Sequence, residues 1–185
     1  KEDGRHTQTS KYLKKTLGFT KTDLEAFTMQ CAAYLERELG YASKHRKKIL
    51  IILGETHGEY RIYQLEKCFL RAAKSLGIST LYSEQALDDA VFTPIDIFAN
   101  KRLNMEVIGV DNMPDADSTN LDERNEWIKS DIEKYNKDAV LMIGSDHLYG
   151  LLESKSAKIS HDQFHLVPFN LSPCAYDNFI EDFES

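Results

Sequence analysis

Short apolar runs alternate with helix-like segments along the chain, and this alternation restricts the fold more than any other feature. The run at residues 49–53 is apolar throughout and ends at Gly54, which is typical of a strand buried on both faces. Further strand-like runs lie at residues 78–82, 105–110, 139–143 and 165–169. Strands that alternate with helices predict an α/β fold with a mainly parallel central sheet of four or five strands and helices on both faces.

Helical periodicity fills the stretches before and between these runs. Ahead of the first strand, apolar residues recur at spacings of three and four, at Leu24, Phe27, Cys31, Leu35 and Leu39. The pattern predicts N-terminal helices in residues 1–46, and further helices are expected over residues 62–76, 88–103, 121–135 and 147–157. No linker-like stretch divides the 185 residues, so we interpret the chain as a single α/β domain with its sheet core in residues 47–170.

The charge balance argues against one large class of partners. Thirty acidic residues against 23 basic ones give a net charge of −7, which argues against nucleic-acid binding because that needs a basic face. One basic cluster, KHRKK at residues 44–48, is predicted to be a solvated connection, with a patch for nucleic acid or anionic lipid as the alternative. The apolar runs are far shorter than the ~20 residues that span a bilayer, so no transmembrane segment is predicted.

The cysteines and the first residue are informative mainly by what they leave open. Cys31, Cys68 and Cys174 are odd in number and form no CxxC pair, so neither a disulfide framework nor a cysteine-based zinc site is expected. Cys31 and Cys68 are predicted to be small core residues. The chain begins at Lys1 rather than at methionine, which is consistent with a fragment of a longer protein. The localisation, cytoplasmic or in a delivered effector or toxin, and the oligomeric state stay open.

Polar side chains follow four of the predicted strands. In an open parallel sheet, ligands bind beyond the carboxyl ends of the strands, and these ends all meet at one edge. A lone acid at such an end is more often a helix cap than a catalyst, but agreement among four strands predicts a functional site. The residues concerned are Glu55 and His57 in GETH, Glu84, Asp111, and His147 in GSDH.

The two histidine motifs share a local design. Thr56 and Asp146 are typical N-cap residues, and Glu59 follows Thr56 at the spacing of a capping box. We therefore expect His57 and His147 to begin helices, where the partial positive charge of the helix N-terminus favours a neutral ring. A neutral imidazole can bind a metal or accept a proton from water. Two ordinary capped turns are the alternative interpretation.

Arg124 is predicted to point inward. It shares a helix face with Ile128 and Ile132, although a cation is disfavoured in the first turn of a helix. An inward arginine needs a carboxylate or an anionic ligand as its partner. Both a structural ion pair with Glu84 or Asp111 and a role in holding an oxyanion fit the pattern.

Other common motifs are missing or poorly placed. The sequence contains no GxGxxG, P-loop, GxSxG or HExxH motif, so dinucleotide, nucleotide, serine-hydrolase and zincin functions lose their usual support. His161 and His165 are four residues apart. Because they fall in a loop that runs into a strand, that spacing does not place them on one face, and no metal site is predicted there.

The two GxxH motifs, with the acids and the arginine between them, resemble the TIKI/TraB superfamily. Glu84 matches the glutamate after the second strand of that family, Asp111 in GVD matches its strand-end acid, and Arg124 in ERN matches its arginine. The segment HLYGL after the last motif is similar to the continuation seen in the family, and the resemblance covers residues 47–155. The group also includes erythromycin esterase-like proteins, ChaN-like haem-binding proteins and a domain of dermonecrotic toxins.

The resemblance implies a hydrolase that activates water to cleave an ester, amide or peptide bond in a small-molecule or peptide substrate. The catalytic residues would be His57, Glu55, Glu84, His147 and Arg124. Metal ligands, if the site is metal-dependent as in TIKI members, would be His57, His147, Glu84 and Asp111, a set that suits manganese, cobalt, iron or zinc. Arg124 is the alternative counter-charge for the acids. Non-enzymatic binding of haem or iron, and a toxin-type domain with a vestigial site, are the alternative functions.

Overall fold

A five-stranded, all-parallel sheet forms the centre of the molecule, as the alternating pattern predicts. The computed structural model describes residues 18–56, 59–84, 93–111 and 120–171. Within them the strand order is β3-β2-β4-β1-β5. The strands are β1 (Lys48–Glu55), β2 (Thr80–Ser83), β3 (Glu106–Gly109), β4 (Ala139–Gly144) and β5 (Phe164–Asn170).

The helices follow the predicted order with two differences. They are α1 (Lys21–Lys44), α2 (Tyr60–Ser75), α3 (Pro94–Ile97), α4 (Leu121–Tyr135) and α5 (Leu148–Glu153). The helix expected up to residue 103 is divided, because α3 ends after one turn and a π-helical turn, Phe98–Arg102, follows it. The last helix stops at Glu153 rather than at residue 157. The expectations for residues 1–17 and 88–92, for His57 and for Cys174 lie outside the described residues.

Two hydrophobic layers cover the two faces of the sheet. Alternate residues of β1, Ile49, Ile51 and Leu53, pack in the layer that contains α1 and α2. Leu50 and Ile52 pack in the opposite layer, with α4 and α5. This two-sided burial explains why β1 is apolar without alternation. The side chains at the carboxyl edge of the sheet likewise lie on one face or the other.

A close approach fixes α5 against the sheet. A Cβ atom on Gly54 would lie 2.3 Å from Cδ1 of Leu148, so only glycine lets this leucine sit on the end of β1. Leu148 is the first residue of α5 and directly follows His147. The glycine of the first GxxH motif thus helps to position the histidine of the second.

The two cysteines in the described part of the chain lie in the core. Cys31 and Cys68 are buried, as predicted, and neither forms a disulfide; burial raises the pKa of both thiols. The thiolate needed for nucleophilic or metal chemistry is therefore disfavoured at both positions.

Among the described residues, no helix combines the length and the apolar character that crossing a membrane requires.

Candidate functional site

The site lies at the carboxyl ends of β2 and β4, which are neighbours in the sheet. Glu84 follows β2, and its Oε2 atom accepts a hydrogen bond from the backbone N–H of Gly144 at 2.6 Å. Its own backbone N–H donates to the carbonyl of Met142 at 3.2 Å. Glu84 is thus tied to β4 through both its backbone and its side chain, and this fixes the direction of its other carboxylate oxygen.

Arg124 bridges the two acids of the site, which confirms that it points inward to a carboxylate partner. Its Nη2 atom lies 3.2 Å from Oε1 of Glu84 and also contacts Oδ2 of Asp111 closely. Its Nε atom donates to Oδ1 of Asp111 at 3.4 Å. The hydrogen bond to Asp111 raises the pKa of Arg124, against the effect of burial, and the charges of Asp111 and Glu84 act in the same direction as that bond. Sequence reasoning left open which acid pairs with Arg124, and both do.

His147 is held on both sides of its ring. Its Nε2 atom lies 3.0 Å from Oε1 of Glu84, and its Nδ1 atom lies 2.5 Å from Oδ1 of Asn125. The residue is 3% exposed. The ring can therefore change neither its orientation nor its partners without disturbing α4, the helix that carries both Asn125 and Arg124.

The protons in this contact follow from the donor and acceptor types. If Oδ1 of Asn125 accepts from Nδ1, then Nε2 and Glu84 need a proton on one of them to form a hydrogen bond. If the amide is turned over, Nδ2 of Asn125 donates to Nδ1, and Nε2 donates to Glu84. In both cases one proton lies between a ring nitrogen and a carboxylate oxygen. The pair is therefore suited to proton transfer.

Asn125 is a site residue that sequence reasoning missed. It is fully buried, and it lies on the same helix face as Ile128 and Ile132, at spacings of three and seven. A polar residue within an apolar stripe was the available signal, because a buried amide needs a partner. The sequence did not reveal that this partner is His147, which lies 22 residues further along the chain.

The expected helix caps at the two motifs are wrong. Helix α2 begins at Tyr60 with Glu59 as its N-cap residue, so the capping box between Thr56 and Glu59 does not form. After β4 the chain makes a 3-10 turn, Ser145–His147, and neither this turn nor α5 has a side-chain cap. The extra turn makes His147 the residue before α5 rather than its first residue, so Glu84 and Asn125, not a capped helix start, hold the ring.

Glu55 lies on the other face of the sheet from this cluster. By the alternation of β1 it belongs with Ile51 and Leu53, and it is hydrogen-bonded to Glu66 of α2. The structure thus brings together Glu84, Asp111, Arg124 and His147 and places Glu55 in a separate acidic contact. His57 is outside the described residues.

Glu66 is a second residue that sequence reasoning missed. It is 3% exposed, and its Oε2 atom is buried without a hydrogen-bond partner among the described residues. Burial raises its pKa well above the usual range, and the hydrogen bond and charge of Glu55 and the charge of Asp96 add to this effect. Glu66 therefore favours the protonated form, which can donate to Glu55. An acid on the buried stripe of α2 was the signal in the sequence.

The cluster has the donors for a metal but also a competing charge. Glu84, Asp111 and His147 each offer one ligand atom, and these atoms lie within 4.8 Å of one another. Nitrogen and oxygen donors together suit zinc, iron, cobalt or manganese. Arg124 already contacts both carboxylates, however, and a second cation beside it would be repelled. The residues fit a divalent ion by donor type but not by charge while Arg124 occupies its position.

Gly150 gives a test of how tightly this site is packed. A Cβ atom there would lie 2.1 Å from Nδ2 of Asn125, so Gly150→Ala should displace the amide from His147. We expect the free energy of unfolding to fall by about 1–2 kcal/mol, as in other overpacked cores. Urea denaturation measures this change.

Gly40→Ala is the matched control for that substitution. Gly40 lies inside α1, and a Cβ atom there would meet nothing within 4 Å. Alanine should raise the free energy of unfolding by about 0.5–1 kcal/mol, because it is the better helix former. If both variants were equally stable, the close packing of Asn125 against Gly150 would be contradicted.

The resemblance of the two motifs to the TIKI/TraB superfamily stays a prediction. Comparisons with protein-family models, with curated proteins and with solved structures found no match to this chain.

Proposed function

We propose that this chain is a TIKI/TraB-like hydrolase in which the pair of His147 and Glu84 activates water to cleave an ester, amide or peptide bond. The observation that carries the proposal is the 3.0 Å contact between Nε2 of His147 and Oε1 of Glu84, with Nδ1 held by Asn125. An imidazole and a carboxylate in direct contact, each held by further neighbours, form a preorganised acid–base pair. The carboxylate of Glu84, oriented by His147, would take a proton from water as the oxygen of that water attacks the carbonyl carbon, and it would return the proton to the leaving group.

Arg124 supports the same chemistry by its charge. Its side chain is 28% exposed, so the guanidinium that holds Glu84 and Asp111 also reaches the surface of the site. Negative charge develops on the substrate oxygen when water attacks, and a fixed cation nearby stabilises it. We assign this role to Arg124. His57 stays in the proposed site because it belongs to the first GxxH motif, whereas Glu55 lies on the other face of the sheet and is given no role.

Water activation is assigned to the side chains alone. A metal would need to displace Arg124 from Glu84 and Asp111, and the bonds of Arg124 to both acids oppose this. Metal assistance therefore stays the second candidate, favoured by the spacing of the three ligand atoms. Haem binding rests on the family resemblance.

Hydrolysis can be tested with a matched pair of histidine variants. His165 also contacts a glutamate, Glu38, at 2.5 Å, but it lies on β5 against α1. His147→Ala should lower kcat/KM for p-nitrophenyl acetate or for a peptide panel by about a hundredfold or more, whereas His165→Ala should change it less than about twofold. Equal loss in both variants, or no cleavage by the wild type with or without added divalent ions, would contradict the proposal.

Two further measurements separate the candidate cofactors. Metal analysis of the wild type and of His57→Ala combined with His147→Ala should show equal, trace amounts of manganese, cobalt, iron and zinc. Uptake by the wild type that the double variant lacks would favour metal assistance. Titration with haem should give no Soret shift, and a shift that depends on His147 would favour the non-enzymatic alternative.

A further inference from the structure

A basic cleft opens at the amino edge of the sheet, the edge opposite the GxxH motifs. It lies where α1 ends, where β1 begins and where α4 connects to β4. Its volume is about 430 Å³. The lining includes Arg46, Lys47, Lys48, Asn136, Asp138 and Gln163. Pockets for small molecules have volumes of about 300–1,000 Å³, so the cleft has room for more than one ion.

The charge of the cleft is opposite to that of the chain. Arg46, Lys47 and Lys48 contribute three positive charges and Asp138 one negative charge, in a protein whose net charge is −7. Asp138 is already engaged, because its Oδ1 atom accepts from the backbone N–H of Ile49 at 2.9 Å. In the described part of the chain, no acidic side chain forms an ion pair with any of the three cations. Among the described residues that line the cleft, three cations thus stand against one carboxylate.

The base of the cleft is built from cross-linked elements. The Nε2 atom of Gln163 donates to the backbone carbonyl of Glu133 at 2.9 Å and to Oδ1 of Asn136 at 3.0 Å. The backbone carbonyl of Gln163 accepts from the N–H of Lys48 at 3.1 Å. These bonds join the end of α4 and the starts of β1 and β5, so the cleft is formed before any ligand arrives.

The position of Arg46 is unusual for its residue type. It follows the C-cap of α1 with a φ of 56°, a left-handed conformation that favours glycine. A side chain is therefore kept at a position where glycine would be easier to accommodate. The φ value by itself does not indicate a ligand. It does mean that Arg46→Gly removes the cation and at the same time relieves an unfavourable backbone conformation.

We propose that this cleft binds a phosphate group, carried either by a small soluble molecule or by a lipid headgroup. The planar guanidinium of arginine matches phosphate oxygens in pairs, and lysines add point charges, so the three cations suit a phosphate dianion. The sequence alone favoured a solvated connection at this cluster. The concave shape comes from Asn136 and Gln163, which are distant in sequence. The proposal does not depend on the hydrolase site.

Inorganic pyrophosphate is the soluble probe, and calorimetric titration at about 150 mM salt is the measurement. The wild type should bind, and Arg46→Gly should bind at least about tenfold more weakly, because a charge-assisted contact is lost. The same variant should melt no lower than the wild type, since glycine relieves the left-handed backbone. Lys101→Ala, at an exposed lysine of the π-helical turn, is the control and should bind as the wild type does.

Asp138→Asn gives the opposite prediction. The amide oxygen can still accept from Ile49 N–H, while the negative charge in the cleft is removed, so pyrophosphate should bind several-fold more tightly. Unchanged binding in both Arg46→Gly and Asp138→Asn, or equal weakening by Lys101→Ala, would overturn the proposal.

Co-sedimentation with phosphatidylcholine vesicles containing phosphatidylinositol 4-phosphate identifies the source of the phosphate group. Sedimentation that Arg46→Gly abolishes assigns a lipid headgroup, pyrophosphate binding alone assigns a soluble phosphate, and binding to neither overturns the proposal.

Discussion

Arg124→Met should lower the free energy of unfolding by about 3 kcal/mol at pH 7 and abolish the proposed hydrolysis. The side chains of Glu84 and Asp111 are 12% and 6% exposed, and both contact Nη2 of Arg124. Without the guanidinium, two poorly solvated carboxylates are left without a counter-charge. Removing one partner of a buried ion pair costs about 3–5 kcal/mol, and the partial exposure of Arg124 places the effect at the lower end. Chemical denaturation measures the loss.

Three companion variants separate charge from geometry. Arg124→Lys keeps the charge but loses the paired contact with Asp111, so about half of the loss should remain. Arg124→Met with Asp111→Asn removes one of the two carboxylate charges that repel each other, and it should recover part of the stability. Arg124→Met with Glu84→Gln should do the same. If Arg124→Met stayed within about 0.5 kcal/mol of the wild type, the bridge would be a solvated contact of little energetic weight.

The same variant tests why the wild type should bind little metal. Arg124→Met leaves the ligand atoms of Glu84, Asp111 and His147 in place and removes the cation that competes for them. We expect this variant to take up zinc or manganese that the wild type does not retain after dialysis. If neither protein binds metal, charge competition is not the reason, and the three side chains are not a ligand set.

Much of the fold followed from local patterns. Each strand was predicted from a short apolar run, and observed strand limits lie within two residues of the predicted ones. The parallel topology then brought together Glu84 and Asp111, which follow different strands. Arg124 was predicted to point inward because a charged residue on an apolar helix face requires a partner. These inferences succeeded because periodicity and strand alternation are set by nearest neighbours in the sequence.

The remaining features depended on contacts between distant residues. The partner of Asn125 is a ring 22 residues away, and the space for its amide comes from the missing side chain of Gly150. The capping prediction failed because residue spacing did not show that α2 starts at Tyr60. The face on which Glu55 lies could have been predicted, because side chains alternate along β1 and residue 55 shares a face with residues 51 and 53. The prediction that Glu55 belongs to the site considered only that all strand ends meet at one edge of the sheet, and it did not consider on which face each side chain lies.

Glu66→Gln should stabilise the protein at alkaline pH and leave its stability nearly unchanged at about pH 4.5. The pKa of Glu66 is raised in the folded state, chiefly by burial, so the folded protein keeps a proton that the unfolded chain releases. The contribution of Glu66 to stability is therefore fully present below the unfolded pKa and is lost as pH rises through the folded pKa. For one proton, the loss has a slope of up to about 1.4 kcal/mol per pH unit.

Glutamine matches the shape of the protonated acid and carries no charge at any of these pH values. Its amide can donate to Glu55 as the protonated carboxyl does, so the variant should become progressively more stable than the wild type as the pH rises from about 4.5 to about 8. Urea denaturation of both proteins from pH 4.5 to pH 8 gives the difference, which cancels the titration of all other groups. Glu36→Gln, at an exposed position of α1, is the control and should show no such trend. A constant difference across the range would mean that Glu66 gains no proton on folding and does not donate the hydrogen bond to Glu55.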